Sequence, residues 1–396
     1  MSTPTTGSST EASPTPLPED HAEPGPSGQA ALLRQIASSP AVVGLLAVLT
    51  ALILSSILIL AADSEVRYTA TYLLNRPGDF LHATASTLSE AYSSLLRGAV
   101  FDWRATTGVR MIRPITDTLT NATPLIIAGL GMAVAFRAGL FNIGGQGQMI
   151  LGAITACYVG IAWNLPPVAH LLLAVVGAAL GGLVWGGIAG VLKARTGANE
   201  VIVTIMLNSI AAHLLSQVLS LKAFNGEGET GNRKSLNVAD AAQYPSLAGD
   251  SFRLHAGFLL ALLVAVAVWW LMERSRLGFQ LRATGLNADA ARTAGMSVPW
   301  VTSLVMMISG ALCGLAATAP VLGTQKSMDE SVVGTIGFDA ITVALLGRSR
   351  PLGTVLAGLL FGALRAGGTA MQAAPGTHIK IVLVLQSTIV LFIAAP

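Results

Sequence analysis

Apolar stretches of membrane-crossing length recur along this chain, and that repetition constrains the fold more than any single motif. A helix needs roughly 20 apolar residues to cross the hydrocarbon core of a bilayer. Residues 41–62, 119–136, 148–163, 170–192, 201–221, 256–272, 300–321, 353–371 and 379–395 reach or approach that length. A further apolar stretch, 336–347, is short for a crossing and reads as either a span or a re-entrant segment. The fold expected is an all-α polytopic membrane protein with about ten transmembrane or re-entrant helices. Composition agrees: 53% of the 396 residues are hydrophobic and only 11% charged, against roughly 25% charged in a soluble domain.

Residues 1–35 read as a disordered cytoplasmic tail, dominated at the start by Ser, Thr, Pro, Glu and Gly, and 36–396 as one transmembrane domain. The first basic residue is Arg34 and the run behind it is long, so 41–62 reads as a retained helix rather than a signal peptide. Orientation follows from basic residues in short connections. Arg137, Lys193, Arg195, Arg274, Arg276, Arg282, Arg292, Arg348 and Arg350 all fall on one side if both termini are cytoplasmic and 336–347 counts as a crossing. The long polar connections 63–117 and 222–255 then fall outside, and 88–100 reads as an amphipathic segment on the membrane surface.

Several function classes are excluded. The net charge of +3 is small and scattered, which does not suggest nucleic acid. Cys157 and Cys313 lie in apolar runs and read as small core residues. No Gly-Lys pair occurs, hence no phosphate-binding P-loop, and neither HExxH nor CxxC is present.

Polar residues that interrupt the apolar runs are the candidates for function. Residues 136–152, FRAGLFNIGGQGQMILG, hold Arg137, the amides Asn142, Gln146 and Gln148, and five glycines between two spans. Non-helical backbone at membrane depth must be buried in protein or line a wet cavity. The stretch therefore reads as a plain cytoplasmic turn or as a turn that also shapes a solute path. At the next span, Asn199, Glu200, Thr204 and Asn208 are candidates; Thr204 and Asn208 share a helix face with Glu200. Glu200 reads equally as a boundary carboxylate paired with Lys193 or Arg195. Asp339 is a path residue or the cap of its short helix. Arg365 lies inside a span and must find a partner. Uncharged amides suit a small neutral polar solute. Glycines at GxxxG spacing between 177 and 190 mark a tightly packed helix.

The second informative stretch, 274–298, has a short helix written into it. Asn287 is an N-cap, Asp289 sits in the positive first turn, Arg292 in the negative last turn, and Gly295 is a stop. Leu286, Ala290, Ala291 and Ala294 form a small-residue face. So short a helix is marginal alone, so it docks on its own domain or on a cytoplasmic partner.

FRAGLFNIGGQGQMILGA, ANEVIVTIMLN, GFQLRATGLNADAARTAGM, GFDAITVALLGRSRPLG and FGALRAGG, in that order, resemble permease subunits of ATP-binding-cassette importers. The branch is that of nucleosides and simple sugars, and the form is most like the longer of two paired nucleoside permeases. The resemblance implies a type II importer permease fold in the cytoplasmic membrane, moving nucleosides, or simple sugars such as ribose, by alternating access. It implies a solute path lined by Asn142, Gln146, Gln148, Asn199, Glu200, Thr204, Asn208, Asp339 and Arg365. Gly285, Asn287, Asp289, Ala290, Ala291, Arg292, Ala294 and Gly295 would dock on a separate ATPase, which binds the ATP and magnesium. A second permease, paralogue or self, and an extracytoplasmic solute-binding lipoprotein complete the implied assembly. The competing class is a self-contained secondary transporter using Glu200, Asp339 or Arg365 as ion-coupling groups. The docking segment and the missing P-loop favour the importer.

Overall fold

The computed structural model describes residues 40–225, 233–372 and 387–388. The chain divides into two units, 1–46 and 47–396. Of the first, only 40–46 are described, the opening turns of a helix; the tail expected over 1–35 and the run 379–395 lie outside the described residues, apart from 387–388.

Helix follows helix. The order is α1 (Pro40–Ala62), α2 (Ser64–Ala70), α3 (Pro77–Ala99), α4 (Gly108–Arg137), α5 (Gly145–Ala162), α6 (Pro167–Thr196), α7 (Glu200–Leu219) and the single turn α8 (Lys222–Asn225). Then come α9 (Gly257–Arg274), α10 (Arg276–Leu286), α11 (Ala288–Thr293), α12 (Val298–Ala316), α13 (Ile336–Leu346) and α14 (Pro351–Gln372). Among the described residues the only β pairings are two isolated bridges, Lys234 with Asp329 and Ser246 with His255.

Six of these helical stretches are long and apolar enough to cross a membrane: α4, α6, α7, α9, Val298–Thr324 and α14. A seventh is gained if Leu49–Ala62 and α2, bent by 78° at Asp63, are one broken span. α5 keeps 18 residues, and its two glutamines and five glycines (Gly145, Gly147, Gly152, Gly160 and the capping Gly144) suit it to burial rather than to lipid. α13 is an 11-residue apolar helix, shorter than a span.

α4 is the axis of the bundle. Residues 122–135 are all buried, because α12, α13, α14 and α9 pack around it. By contrast α6, α7 and α9 present Leu172, Val176, Leu180, Ile202, Met206, Ile210, Leu263, Val266 and Trp270 outward. Apolar surface of this extent is unfavourable in water and at home in lipid or against another subunit.

The closest packing is between α6 and α12, and it is made by glycine. A Cβ on Gly186 would lie 3.0 Å from the Cα of Gly310, and one on Gly314 would lie 3.0 Å from the Cα of Gly182. The glycine ladder of α6 thus meets Gly310 and Gly314 of α12 backbone to backbone, and Gly152 of α5 abuts Gly314 as well. Without side chains between them the helices gain dispersion contact along their whole faces.

Residues 88–100, expected on the membrane surface, are the C-terminal half of α3. Ala91 packs in a cluster with Ile59 and Met371, and Gly98 lies on Gly367 and Ala370 of α14. The polar stripe that suggested a surface helix is partly used inward: Ser94 is buried and takes a bond from the Arg97 guanidinium at 2.8 Å.

Candidate functional site

The turn between α4 and α5 is held by its own amides. Gly139 takes a left-handed conformation (φ +71°) that lets the chain reverse. Asn142 is fully buried and uses every bonding site it has. It donates to Gln148 Oε1 at 2.9 Å and to Ser309 Oγ on α12 at 2.8 Å, and it accepts from Gly144 N–H at 2.9 Å and Gln148 Nε2 at 3.1 Å. Asn208 on α7 accepts from Gly147 N–H at 2.8 Å and donates to the Ile143 carbonyl at 2.9 Å. Gln146 reaches the other way: Nε2 donates to the Gly334 carbonyl at 2.7 Å and Oε1 accepts from Gly337 N–H at 3.2 Å. Four helices and the loop before α13 are therefore tied to one turn. A buried amide network of this kind is stabilising only when it is satisfied, and this one is.

At the start of α7 the roles divide. Asn199 is the N-cap, accepting from Val201 N–H at 2.9 Å and, more weakly, Ile202 N–H at 3.4 Å. Glu200 pairs with Lys193 Nζ at 2.6 Å, which is the boundary ion pair allowed by the sequence; Arg195 is not its partner. Thr204 is buried and returns its hydroxyl to the Glu200 carbonyl at 2.7 Å.

Asp339 and Arg365, separate candidates in the sequence, are partners. Arg365 Nη2 lies 2.9 Å from Asp339 Oδ2 and 2.8 Å from Thr335 Oγ1, and the Thr335 hydroxyl also donates to that carboxylate oxygen at 3.0 Å. The cap expected of Asp339 belongs instead to Thr335, which precedes the first turn. The arginine in α14 is thus neutralised by a carboxylate on α13, which is how such a charge is tolerated at depth.

Beside this pair is a cavity of about 230 Å³. Its walls come from α4 (Thr120, Asn121, Pro124), the π-helical turn Ala319–Thr324 that extends α12, Gln325, the loop 331–336, Arg253 and Arg365. Two neighbouring cavities share residues with it. One of about 720 Å³ includes Asn121 and Arg253 along with Arg97, Arg110, Arg113, Asp102 and Asp117. The other, about 430 Å³, includes Arg253 and Thr324 along with Tyr244, Asp250, His255 and Lys326. Residues 120, 121 and 253 were not singled out from the sequence; an asparagine inside an apolar run, three residues before Pro124, was the available signal.

The short helix written into 274–298 is present. Asn287 caps α11, accepting from Asp289 and Ala290 N–H at 3.0 Å each, and Asp289 pairs with Arg292 at 3.1 Å. Gly295 (φ +81°) closes it, with its N–H on the Arg292 carbonyl and Met296 N–H on the Ala291 carbonyl, a Schellman ending. The small-residue face does not stay together. Ala291 is only 3% exposed and turns in on the chain's own helices, while Leu286 is 88% exposed, and Ala290 and Ala294 are also on the open side. The segment is seated on the turn after α4: a Cβ on Gly285 would fall 2.5 Å from the Arg137 carbonyl oxygen and 2.8 Å from the Ala138 carbonyl carbon. Arg137 adds a bond to the Ser349 carbonyl at 3.2 Å and a long ion pair with Glu273 at 3.6 Å.

Comparison with known proteins bears on what this arrangement is. Residues 115–394 match the family model described as "Branched-chain amino acid transport system / permease component". The guanosine ABC transporter permease protein NupP of Bacillus subtilis (strain 168) is 40% identical over 284 residues, 71% of this chain and 81% of the relative. The glucose ABC transporter permease protein TsgB13 of Haloferax volcanii is 38% identical over 289 residues, 70% of this chain and 75% of the relative. The nucleoside ABC transporter permease protein NupB of Lactococcus lactis subsp. cremoris is 34% identical over 289 residues, 71% and 79% of the two chains. A multi-pass helical bundle with no ATP-binding motif, matched over most of its length, belongs to this permease family: the chain is the transmembrane subunit of an ATP-driven ABC importer and not itself an enzyme.

Proposed function

We propose that this permease carries nucleosides across the cytoplasmic membrane, with simple sugars as the second choice. Two relatives are named for guanosine or nucleoside transport and one for glucose. The observation that carries the choice of a neutral solute is electrostatic. Arg365, the cation inside α14, is neutralised by Asp339, and Arg253 at the same cavity interacts electrostatically with Asp117 in the neighbouring space, so neither stands alone for a carboxylate or phosphate.

The remaining assembly is proposed on the same footing. A cytoplasmic ATP-binding-cassette ATPase binds ATP and magnesium and docks on the open face of the segment 285–295. A second permease subunit covers part of the apolar surface of α6, α7 and α9. A solute-binding lipoprotein delivers solute from outside. Both termini and the segment 273–298 are cytoplasmic. The path residues Asn142, Gln148, Asn199, Thr204 and Asn208 act by holding the turn and helix starts that shape the path, while Gln146, Glu200, Asp339 and Arg365 border it. The self-contained secondary transporter is disfavoured, because Glu200, Asp339 and Arg365 are all committed to ion pairs.

Reconstitution with the ATPase tests this. Proteoliposomes should take up labelled guanosine, adenosine or uridine only with ATP, and labelled ribose or glucose less well. Uptake driven by an ion gradient without ATP would overturn the importer assignment, and preference for glucose would reverse the choice of solute.

A further inference from the structure

We infer that the solute is recognised in the cavity beside α4, by Asn121, Gln325 and Arg253, and not by the amides of the turn between α4 and α5. The inference deepens the importer reading and rests on it.

The two sets of amides differ in what they have left to offer. Asn142 has no bonding site free, and the side-chain oxygen and nitrogen of Asn208 and Gln148 are all engaged within the chain. Among the described residues, the side chains of Asn121, Gln325 and Arg253 make no hydrogen bond, and all three line the same space. A polar side chain facing a cavity without a partner can bond to a solute with no internal bond broken.

Backbone points the same way. Pro124 has no N–H to return to the Thr120 carbonyl four residues back, and both residues line the cavity. Thr120 and Pro124 stand near the middle of the 30-residue, membrane-length α4. Opposite it the chain is broken twice, by the π-helical turn Ala319–Thr324 and by the loop leading into α13. Interrupted helices at mid-depth are where transporters place solute sites.

The chemistry of the walls defines the ligand class. Two amides present donors and acceptors, Arg253 presents donors only, and Thr120, whose hydroxyl proton is committed to the Thr116 carbonyl, offers acceptors only. That set matches an uncharged molecule bearing several hydroxyls and ring acceptors. About 230 Å³ is below the roughly 300–1,000 Å³ of drug-sized sites, which suits a nucleoside or a sugar. Arg253 also borders the two larger cavities, so one side chain faces all three spaces.

Initial-rate uptake of labelled guanosine, uridine and ribose in proteoliposomes containing the ATPase reads the outcome. Asn121→Ala and Gln325→Ala should each raise KM roughly three- to ten-fold and change the ranking of the three solutes, with the ATPase retained normally. Gln325 is on the exposed turn, so its truncation leaves packing intact. As a second readout, a cysteine at position 325 should be shielded from a thiol reagent by guanosine. Unchanged KM in both alanine variants, with no shielding, overturns the site while leaving the importer standing. Uptake by the unaltered complex that ignores ATP overturns the importer reading itself.

Discussion

The side-chain amide of Gln146 donates to the carbonyl oxygen of Gly334 at 2.7 Å, joining the start of α5 to the wall of the cavity beside α4. The same side chain accepts from Gly337 N–H, and Gly337 lies so close that a Cβ there would be 2.5 Å from the Gln146 Cα. Through the turn 138–144, which Gly285 touches, these bonds place the segment 285–295 and the cavity at two ends of one tied structure. Gln146→Leu removes both bonds, each worth about 0.5–1.5 kcal/mol. We predict a lower unfolding temperature and slower uptake with the ATPase still bound. Normal uptake in that variant would show that the tie is idle in transport.

The pair of Asp339 and Arg365 calls for a double-mutant cycle. Each side chain is about a quarter exposed, so the loss on removing one partner should be below the 3–5 kcal/mol of a fully buried pair, at about 1–3 kcal/mol. Asp339→Asn and Arg365→Gln should each destabilise the purified protein, and the double variant should be more stable than the sum of the two losses. Additive thermal shifts would mean the two groups are not coupled.

The glycine seam should tolerate no side chain. Gly310→Val forces the branched group into the backbone of Gly182 and Gly186, and overpacking on this scale typically costs 1–3 kcal/mol or more. The protein should be lost from the membrane fraction. Gly177→Ala, whose new methyl would meet only ordinary contact at 3.4 Å, should accumulate normally. Comparable amounts of the two proteins on a blot would contradict the packing argument.

Docking of the ATPase should depend on Leu286 and Ala290, which are open, and not directly on Ala291, which is buried. Leu286→Asp should reduce co-purification of the ATPase while leaving the permease folded. Ala291→Trp should instead lower the stability of the permease itself. If Leu286→Asp retains the ATPase and full ATP-dependent uptake, the segment is a packed loop and not the docking element.

His255 supplies a pH dependence. Burial first, and the neighbouring Arg253 charge second, push its pKa from the ordinary 6.5 down to about 4. The ring is stacked on Tyr244 and its Nδ1 accepts from Gly257 N–H at 3.2 Å. The unfolded chain therefore binds the proton first as pH falls, and stability present above about 6.5 is lost on the way to 4. The loss should approach about 3 kcal/mol. Unfolding temperatures in detergent, compared for the unaltered chain and His255→Phe between pH 7 and 4.5, should fall further with acid in the unaltered chain. Parallel curves would mean that this histidine does not titrate with folding.

Much of the helical order was legible because membrane length and capping chemistry are local. Asn287, Gly295 and the run of α4 could be placed from neighbours alone, and the partner of Glu200 could be narrowed to Lys193 or Arg195 because both are within seven residues. The tertiary pairings could not. Nothing near Asp339 in the chain names Arg365, 26 residues away. Asn142 and Asn121 are both amides beside apolar residues, yet one is saturated by Gln148, Ser309 and Gly144 and the other faces a cavity. That difference depends on Ser309 arriving from 167 residues away, which periodicity does not reveal. Ala291 parts from Ala290 and Ala294 for a related reason: a six-residue helix has alanines on more than one side, and its orientation is set by what Gly285 sits upon.

Two backbones in direct contact, as at Gly182 and Gly310, have no side chains to swing aside. Sliding one past the other would drive carbonyl oxygens into Cα atoms, so sterics resist shear between α6 and α12, and between α5 and α12 at Gly152 and Gly314. The seam reaches α4 as well, where a Cβ on Gly131 would lie 2.9 Å from the Ser309 carbonyl oxygen of α12. Relative movement along these contacts must therefore part the helices, because shear is blocked.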